Sequence, residues 1–350
     1  MIIKNAWYMA AWAHELTTTP LARRICNEPL VLFRTADEVP AALIDSCCHR
    51  GAPLSRGAVV RSGIRCNYHG MVFDKDGRCV EIPGQDGIPR RAQVRSYPVV
   101  EKDSMIWIWM GTAERANPAA ILDYPYHRDP VNWPTRFAMS PARSNYLLLV
   151  DNLLDATHLA YVHPASVGGA APDVHFRAQM HVQRTRDGVR SERLMKDSPA
   201  PPAYTQCVPF SGPVDRWQEF DFIAPAVVVQ YSGAVGAGQS RENNMGPRFD
   251  MRLFHALTPE TDTTSFYFWS ASNGHAKNDL AATDLIVTEI TKAIVEDKAM
   301  IEAQQERITE LGEERLVDNR SDAVRILMRQ AVDRLAKSSD SPGEPVLTRT

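Results

Sequence analysis

The sequence predicts an α+β protein of two domains, an antiparallel β domain followed by a domain with a second antiparallel sheet and a long C-terminal helix. Three observations carry this prediction. Short β-branched or aromatic runs alternate with Gly, Pro and Asp turns early in the chain, prolines crowd together near residue 120, and a long helical pattern follows the last strand candidates. With 350 residues, the chain is long enough for two hydrophobic cores.

The first predicted domain covers residues 1–120 and is built from short strands. Its boundary is placed where four prolines interrupt a stretch of little periodicity between Pro118 and Pro134. The strand candidates are Leu30 to Phe33, Ala41 to Ile44, Met71 to Phe73 and Met105 to Met110.

The second predicted domain covers residues 121–336. Its strand candidates are followed by a helical pattern from about Leu280 to Leu311. Residues 337–350 form a polar, Pro-containing tail that we expect to be disordered. The strand candidates are Phe220 to Phe222, Ala226 to Tyr231, Arg252 to Leu257 and Ser265 to Trp269.

Composition excludes several classes of function. A net charge of -3 and a pI near 6.4 give no electrostatic case for nucleic-acid binding. Six cysteines form no convincing disulfide framework, so a reducing cytoplasm is expected. No signal peptide or membrane span is predicted, and we expect a soluble protein.

Two Cys/His pairs are the strongest chemical signal in the chain. Cys47 with His49 and Cys66 with His69 lie sixteen residues apart and offer two thiolates and two imidazoles. This set suits a Rieske [2Fe-2S] cluster, in which two Cys hold one iron and two His hold the other. The alternative is a structural Cys2His2 zinc site, but zinc fingers usually group Cys with Cys and His with His.

A second group of polar residues runs from Asn152 to His163. Asp155 and His158 are three residues apart, so a helix would place them on one face. His158 and His163 are five apart and reach one metal only if the helix contains a π-bulge or ends before His163. Taken alone, the two histidines could equally be surface or core residues.

Both groups resemble motifs of the Rieske non-heme iron oxygenases. Cys47 to Leu54 and Cys66 to Gly70 are similar to the two cluster loops, and Asn-x-x-Asp-x-x-His-x-x-x-x-His from Asn152 to His163 is similar to the mononuclear iron motif. Four further segments are similar to the same family: Asn5 to Tyr8, Glu81 to Gln85, His255 to Thr261 and Glu296 to Lys298. The similarity therefore spans nearly the whole chain before the tail.

The resemblance implies roles for these residues. His158 and His163 match two ligands of a mononuclear Fe(II) held by two His and one carboxylate. Asp155 matches the carboxylate that links the cluster of one subunit to the iron of the next, and Asn152 matches a polar residue beside the iron. The implied fold is a Rieske domain joined to a helix-grip catalytic domain, and the implied assembly is a head-to-tail homotrimer.

The third iron ligand is expected on the long C-terminal helix. Asp297 lies on a stripe with Ile290, Ile294 and Ile301, where a buried carboxylate would need a metal or a cation as partner. Asp284 is the second candidate, and pairing of Asp297 with Lys or Arg is the structural alternative. The resemblance favours Asp297 through its setting between Glu296 and Lys298.

Electrons are expected to come from a partner protein. The Gly-rich run from Gly233 to Gly238 lacks the spacing of a dinucleotide-binding motif, and no P-loop is present. The resemblance implies an NAD(P)H-dependent reductase with a flavin and an iron-sulfur centre.

The resemblance is strongest to vanillate O-demethylase and toluenesulfonate methyl-monooxygenase oxygenase components, with dicamba O-demethylase nearby. It implies a monooxygenase that uses O2 to hydroxylate a methyl or methoxy group of an aromatic acid, with O-demethylation and release of formaldehyde favoured. Methyl hydroxylation of an aryl sulfonate and ring hydroxylation are the alternatives. His255 and Gln230 are the expected substrate contacts.

Two functions of another class remain open from the residues alone. A pure electron-transfer protein needs only the cluster, and a zinc-stabilised binding protein needs neither iron centre.

Overall fold

The computed structural model of the chain describes residues 1–169, 172–242, 246–313 and 316–340. Within them the chain divides into two units. The first consists of Met1–Asp123, Thr258–Asp262 and the chain from Ser338, and the second of Tyr124–Leu257 and Thr263–Lys337.

The first unit is built from three small antiparallel sheets. Their strand orders are β1-β11-β10, β2-β3-β4-β9 and β5-β6-β7-β8. The strands are β1 (Ala6–Trp12), β2 (Leu21–Ile25), β3 (Glu28–Arg34), β4 (Pro40–Ile44), β5 (Ala58–Val60), β6 (Gly63–Arg65), β7 (Val72–Phe73), β8 (Cys79–Glu81), β9 (Ser96–Tyr97), β10 (Val99–Lys102) and β11 (Met105–Met110).

A buried cluster joins two of these sheets and supports the loops that follow β4 and β6. It includes Phe33 and Leu43 from the second sheet and Ile64 and Phe73 from the third. Apolar side chains of this kind gain roughly 1.5–3 kcal/mol each when they leave water, so the strands that carry them fix the loops in place. Cys47 and Cys66 belong to the same cluster.

The second unit is organised around one seven-stranded antiparallel sheet. Its strand order is β12-β18-β17-β16-β15-β14-β13. The strands are β12 (Thr135–Ala142), β13 (Gln179–Arg184), β14 (Gly188–Ser198), β15 (Val214–Ile223), β16 (Val227–Gly236), β17 (Arg248–Pro259) and β18 (Ser265–Asn273). On one face of β15 every second side chain from Val214 to Phe222 is buried, because successive residues of a strand point to opposite faces, and Trp217 is buried on the other face.

One long helix packs against this sheet. The helices of the second unit are α1 (Tyr146–Leu154), α2 (Leu159–Val162), α3 (Pro172–Phe176), α4 (Pro202–Cys207), α5 (Leu280–Leu311) and α6 (Ala323–Asp340). Helix α5 contacts β12 and β18 as well as α1, α2 and α4. Its first turn is capped by Asp279, whose carboxylate accepts a hydrogen bond from Ala282 N at 3.0 Å.

The predicted fold class is confirmed: a β domain at the N-terminus is followed by a large antiparallel sheet with a long C-terminal helix. The C-terminal part of the chain differs from prediction. Helix α6 was not predicted, and it continues to Asp340, so the first four residues of the predicted tail are helical. Residues 341–350 lie outside the described residues.

Among the helices that the structure describes, none is both long enough and apolar enough to cross a membrane.

Candidate metal centres and substrate pocket

Two loops with the same backbone pattern carry the first set of ligand candidates. Cys47 N donates to Ala52 O at 2.8 Å, and Gly51 N donates back to Cys47 O at 2.9 Å. In the second loop Cys66 N donates to Met71 O at 2.8 Å, and Gly70 N donates to Cys66 O at 2.9 Å. Each cysteine therefore sits at the base of a closed turn of equal size.

Glycine is required at the same point of both turns. Gly51 and Gly70 have φ values of +71° and +79°, in the left-handed region that other residues rarely adopt. A Cβ on Gly70 would also lie 2.7 Å from Pro83 Cγ. The motif glycines thus shape the loops.

The four ligand candidates separate into a buried pair and an exposed pair. Cys47 and Cys66 are buried and interact with each other, and burial raises the pKa of the Cys47 thiol to about 11. The rings of His49 and His69 are exposed, with centroids 4.5 Å apart. Sulfur therefore lies on the inner side of the loops and imidazole on the outer side.

This arrangement fits a two-iron cluster better than a single zinc ion. Around a tetrahedral zinc all four ligand atoms would lie close together. Within the part of the chain that the structure describes, three potential ligand atoms do lie within 4.8 Å of one another, but they belong to His158, His163 and Asp297. The four loop residues thus suit a larger centre, with thiolates at one end and imidazoles at the other.

The second centre is built where a helix breaks. Helix α1 ends at Leu154, and Asp155 has extended backbone angles of φ -98° and ψ 93°. The prediction that Asp155 and His158 share a helix face is therefore wrong. The Asp155 carboxylate instead accepts from Thr157 N at 2.8 Å and Thr157 Oγ1 at 2.6 Å, which stabilises a turn before α2.

Because the helix is interrupted between Leu154 and Leu159, the rings of His158 and His163 can approach the same position. His158 precedes the short helix α2, and His163 follows it with non-helical angles of φ -123° and ψ 43°. Of the two predicted possibilities, a π-bulge or a helix that ends before His163, the structure has the second. The two ring centroids are 5.3 Å apart.

Helix α5 contributes Asp297 to the same point. Its Oδ1 lies 3.0 Å from His163 Nε2, 3.5 Å from His158 Nε2 and 3.1 Å from Asn152 Nδ2. Two imidazoles and a carboxylate at this spacing match the donor set of a mononuclear iron with open positions. Asp284 lies elsewhere, exposed and paired with Arg136 at 2.7 Å.

The remaining ring nitrogens fix the orientation of the histidines. His163 Nδ1 lies 2.6 Å from Glu296 Oε2, and His158 Nδ1 contacts the carbonyl oxygen of Asp155. Burial would lower the pKa of His163, but its interactions with Asp297 and Glu296 raise it overall. Burial lowers the pKa of His158, whose buried Nε2 has no hydrogen-bond partner.

A cavity opens beside these three residues within the second unit. His158, His163, Asp297 and Asn152 line one part of it. Helix α5 adds apolar side chains, and the strands add both apolar and polar ones. The further lining residues are Leu153, Ala156, Leu159, Val167, Tyr204, Gln218, Phe220, Gln230, Met251, Leu253, His255, Tyr267, Ile290, Ala293 and Ile294.

Both predicted substrate contacts line this cavity. His255 is fully buried, which lowers its pKa to about 3 and leaves the ring neutral near pH 7. Tyr267 Oη lies 2.9 Å from His255 Nδ1, while Nε2 has no partner in the protein. With the Tyr267 hydroxyl donating to Nδ1, the ring proton lies on Nε2 and is available to an occupant. Gln230 Nε2 donates to Ser232 Oγ at 2.8 Å.

Sequence reasoning missed several polar residues of the pocket. Tyr204 and Gln218 line it, and Glu296 supports His163. For Gln218 a signal existed, because it shares a face of β15 with Val214, Phe220 and Phe222 at a period of two. For Tyr204 no such signal exists, since α4 is too short for a periodic pattern.

Family models match most of the chain. Residues 6–98 match the Rieske [2Fe-2S] domain, and residues 142–338 match the vanillate O-demethylase oxygenase C-terminal domain.

Curated relatives are similar over nearly their whole length. The chain is 38% identical over 350 residues to a putative toluene-4-sulfonate monooxygenase system iron-sulfur subunit of Comamonas testosteroni, with 99% of this chain and 100% of the relative covered. It is 37% identical over 310 residues to the oxygenase component of dicamba O-demethylase from Stenotrophomonas maltophilia, with 87% of this chain and 88% of the relative covered. Identity to a vanillate O-demethylase oxygenase subunit of a Pseudomonas species is 32%, with 99% and 98% covered.

Solved structures agree with this similarity. Dicamba monooxygenase bound to 3,6-dichlorosalicylic acid has a TM-score of 0.90 at 32% identity, with 97% of this chain and 99% of that chain covered. Dicamba monooxygenase with non-heme iron and dicamba has a TM-score of 0.74 at 30% identity, with 96% and 98% covered.

Proposed function

Because the chain belongs to the Rieske non-heme iron oxygenases, as an oxygenase component related to vanillate O-demethylase and toluenesulfonate monooxygenase subunits, we propose that it hydroxylates a methyl or methoxy group of an aromatic acid. The observation that carries this proposal is the cavity beside His158, His163 and Asp297, which combines apolar walls with a few polar groups. As a monooxygenase component, the protein needs O2, a substrate and electrons from a reductase.

In this proposal four residues hold the Rieske cluster. Cys47 and Cys66 supply buried thiolates to one iron, and His49 and His69 supply exposed imidazoles to the other. Because both cysteines are buried, the iron that they would hold is kept away from water. The exposed imidazoles place the other end where a second protein surface can approach.

Three residues hold the mononuclear iron. His158 and His163 donate Nε2, and Asp297 donates a carboxylate oxygen. Glu296 accepts a hydrogen bond from His163 Nδ1 and so fixes the proton on that nitrogen, and Asn152 holds the orientation of Asp297. When bound, the cluster supplies single electrons and the iron supplies the chemistry of O2.

The cavity positions the substrate and excludes water. Leu253, Phe220 and Ile294 offer apolar surface to an aromatic ring, and His255 Nε2 and Gln230 offer polar contacts to its substituents. For a methoxy group, one oxygen atom of O2 enters the methyl carbon, and two electrons and two protons reduce the other to water. The resulting hemiacetal breaks its carbon-oxygen bond to give a phenol and formaldehyde.

Assembly and electron supply complete the proposal. The reductase is of the NAD(P)H-dependent flavin and iron-sulfur kind, and the oxygenase is a head-to-tail homotrimer. In this trimer the Asp155 carboxylate would link His158 to His69 of the neighbouring subunit, so that an electron passes from that subunit's cluster to the mononuclear iron. The support is that Asp155 adjoins His158 through its carbonyl and that His69 is exposed.

A second candidate reaction is hydroxylation of a methyl group on an aryl sulfonate, which stops at the alcohol. It is favoured by the 38% identity to the Comamonas testosteroni protein over the full length. O-demethylation is favoured by the dicamba and vanillate relatives.

Product and metal analysis test the proposal together. Anaerobically purified protein should contain about three irons and two sulfides per chain. With a reductase and O2, a methoxybenzoate should yield formaldehyde and a phenol in equal amounts, whereas toluenesulfonate should yield the alcohol. A cis-dihydrodiol as main product would overturn monooxygenation of a side group. About two irons with two sulfides and no product would indicate an electron carrier instead.

A further inference from the structure

A buried arginine lies behind the cavity without a carboxylate partner. Arg216, on β15, is 1% exposed and falls on the inward face of the sheet with Gln218. Its nearest backbone acceptor, Val167 O, is 3.5 Å from Nη2, and its Nε has no hydrogen-bond partner. Among the described residues, Arg216 interacts with the Tyr204 side chain but forms no ion pair with a carboxylate, so its buried charge is uncompensated.

A second buried arginine adds positive charge near Arg216. Arg193, on β14, is 5% exposed and donates to Gln218 Oε1 at 3.0 Å and to His175 O at 2.8 Å. Burial and the charge of Arg216 lower the pKa of Arg193 to about 10 against the opposing effect of Asp155, so the side chain stays cationic near pH 7. Neighbouring His175 is neutral there, because burial lowers its pKa to about 4.

Tyr204 connects Arg216 to the cavity. The guanidinium lies over the Tyr204 ring, 5.4 Å from its centroid, and the two side chains interact. The pKa of Tyr204 is raised by burial, so its hydroxyl stays protonated and can donate. The ring is held by stacking on Phe249 at 4.0 Å, and Phe249 stacks in turn on His275 at 5.1 Å.

Gln218 presents a second donor beside Tyr204. Arginine can only donate, so Gln218 must point Oε1 at Arg193. Its Nε2 is then the amide atom left for a cavity occupant. Tyr204 and Gln218 thus form a polar wall of the cavity, with hydrogen-bond donors in front and two guanidinium groups behind.

We propose that Arg216, acting through Tyr204, selects the anionic group of the substrate, a carboxylate or a sulfonate, which binds at the polar wall while the reacting methyl carbon lies toward Asp297. This inference rests on the proposed function, because it assumes an aromatic substrate in the same cavity. A bound anion would compensate a charge that the protein leaves unpaired, and at low dielectric the attraction acts without direct contact.

The test compares anionic ligands with neutral ligands of the same shape. Holoprotein is titrated by calorimetry without O2, first with para-methoxybenzoate and para-methoxybenzamide, then with para-toluenesulfonate and para-toluenesulfonamide. The wild type should bind the anion of at least one pair about tenfold or more tightly. The pair with the larger preference identifies carboxylate or sulfonate as the natural group.

Three variants assign that preference to Arg216. Arg216→Met should lose the preference for the anion while its affinity for the neutral ligand changes less than about threefold, and Arg216→Lys should restore part of the preference. Arg190→Met is the matched control, because Arg190 lies on the neighbouring strand β14 and is compensated by Asp221 at 2.9 Å. It should leave the preference unchanged.

Each contrary result is decisive. An unchanged preference in folded Arg216→Met would make Arg216 a structural residue and overturn the inference. Should that variant not fold, Tyr204→Phe takes its place, and an unchanged preference there would have the same meaning. A wild type without anion preference also overturns the inference, whereas failure of the proposed function would appear separately as the absence of product from every ligand.

Discussion

At the residue scale, Asp297 and Asp284 provide a matched pair of substitutions on one helix. Asp297→Asn should remove the mononuclear iron and lower turnover by more than about 100-fold, because a neutral amide replaces the anionic ligand. The cluster spectrum should persist, because its ligands lie on other loops. Asp284→Asn should change iron content and turnover less than about twofold and leave stability nearly unchanged, since its pair with Arg136 is exposed.

Metal analysis by plasma emission and the visible absorption spectrum check both variants. Loss of iron only in Asp284→Asn, or bleaching of the cluster in Asp297→Asn, would contradict the assignment of the third ligand.

The Cys/His pairs at Cys47 and Cys66 were predictable as candidate cluster ligands from their spacing. His158 and His163 were assigned through the family resemblance, because a spacing of five residues does not place two side chains on one helix face. The place of Asp297 was predictable because its helix has a regular period. Arg216 and Tyr204 were not identified, because they come from a strand and a short helix that only tertiary folding brings together. The burial of Arg216 could have been suspected, since it alternates with Val214 and Phe220.

At the element scale, α6 holds α1 in place through charged groups. Arg329 donates to both carboxylate oxygens of Asp151 on α1, and Arg325 lies 3.4 Å from the same carboxylate. Burial would lower the pKa of Arg329, but the bonds to Asp151 raise it overall. Because Asn152 follows Asp151, this pairing also supports the residue that contacts Asp297.

Removal of this charge should loosen α6. Asp151→Asn should lower the free energy of unfolding by about 1–3 kcal/mol, because a charge-assisted bidentate pair is lost. Hydrogen exchange should rise first in α6. The control is Asp173→Asn, whose pair with Arg177 is about 80% exposed and should contribute less than about 0.5 kcal/mol. Equal urea midpoints for the two variants would show that the α1 to α6 pairing adds no stability.

Helices and strands were predictable to different degrees for physical reasons. Helix α5 was predicted with its observed bounds, because its apolar stripe repeats over many turns. Helix α6 was missed, although Val324, Met328, Ala331 and Val332 are buried at helical spacing. Strands β13 and β14 are rich in polar residues, so neither continuous hydrophobicity nor simple alternation marks them.

At the scale of the whole molecule, the proposed electron route makes activity depend on assembly. Asp155→Asn keeps one oxygen to accept from Thr157, so the turn should persist while the charge is lost. Cluster and iron should remain, and the protein should still form a trimer. After reduction of the cluster, its oxidation in the presence of substrate and O2 should slow on the order of 100-fold.

Thr157→Ala separates charge from local hydrogen bonding, because it removes the bond from Thr157 Oγ1 while the carboxylate and the bond from the backbone N of residue 157 stay. Stopped-flow absorbance during a single turnover gives the rate for each variant. An Asp155→Asn rate equal to that of the wild type would exclude Asp155 from the route, and full activity of a dilute monomer would exclude transfer between subunits.

The part of α5 that carries Asp297 also sets how large a substrate the enzyme can accept. Ile290, Ala293, Ile294 and Asp297 lie on the same side of this helix and line the cavity. At a rise of about 1.5 Å per residue, Ala293 lies about 6 Å and Ile290 about 10 Å along the axis from Asp297. Substitutions at Ala293 and Ile290 can therefore adapt the cavity to bulkier or smaller substrates one position at a time, while the candidate metal ligands and every loop stay unchanged.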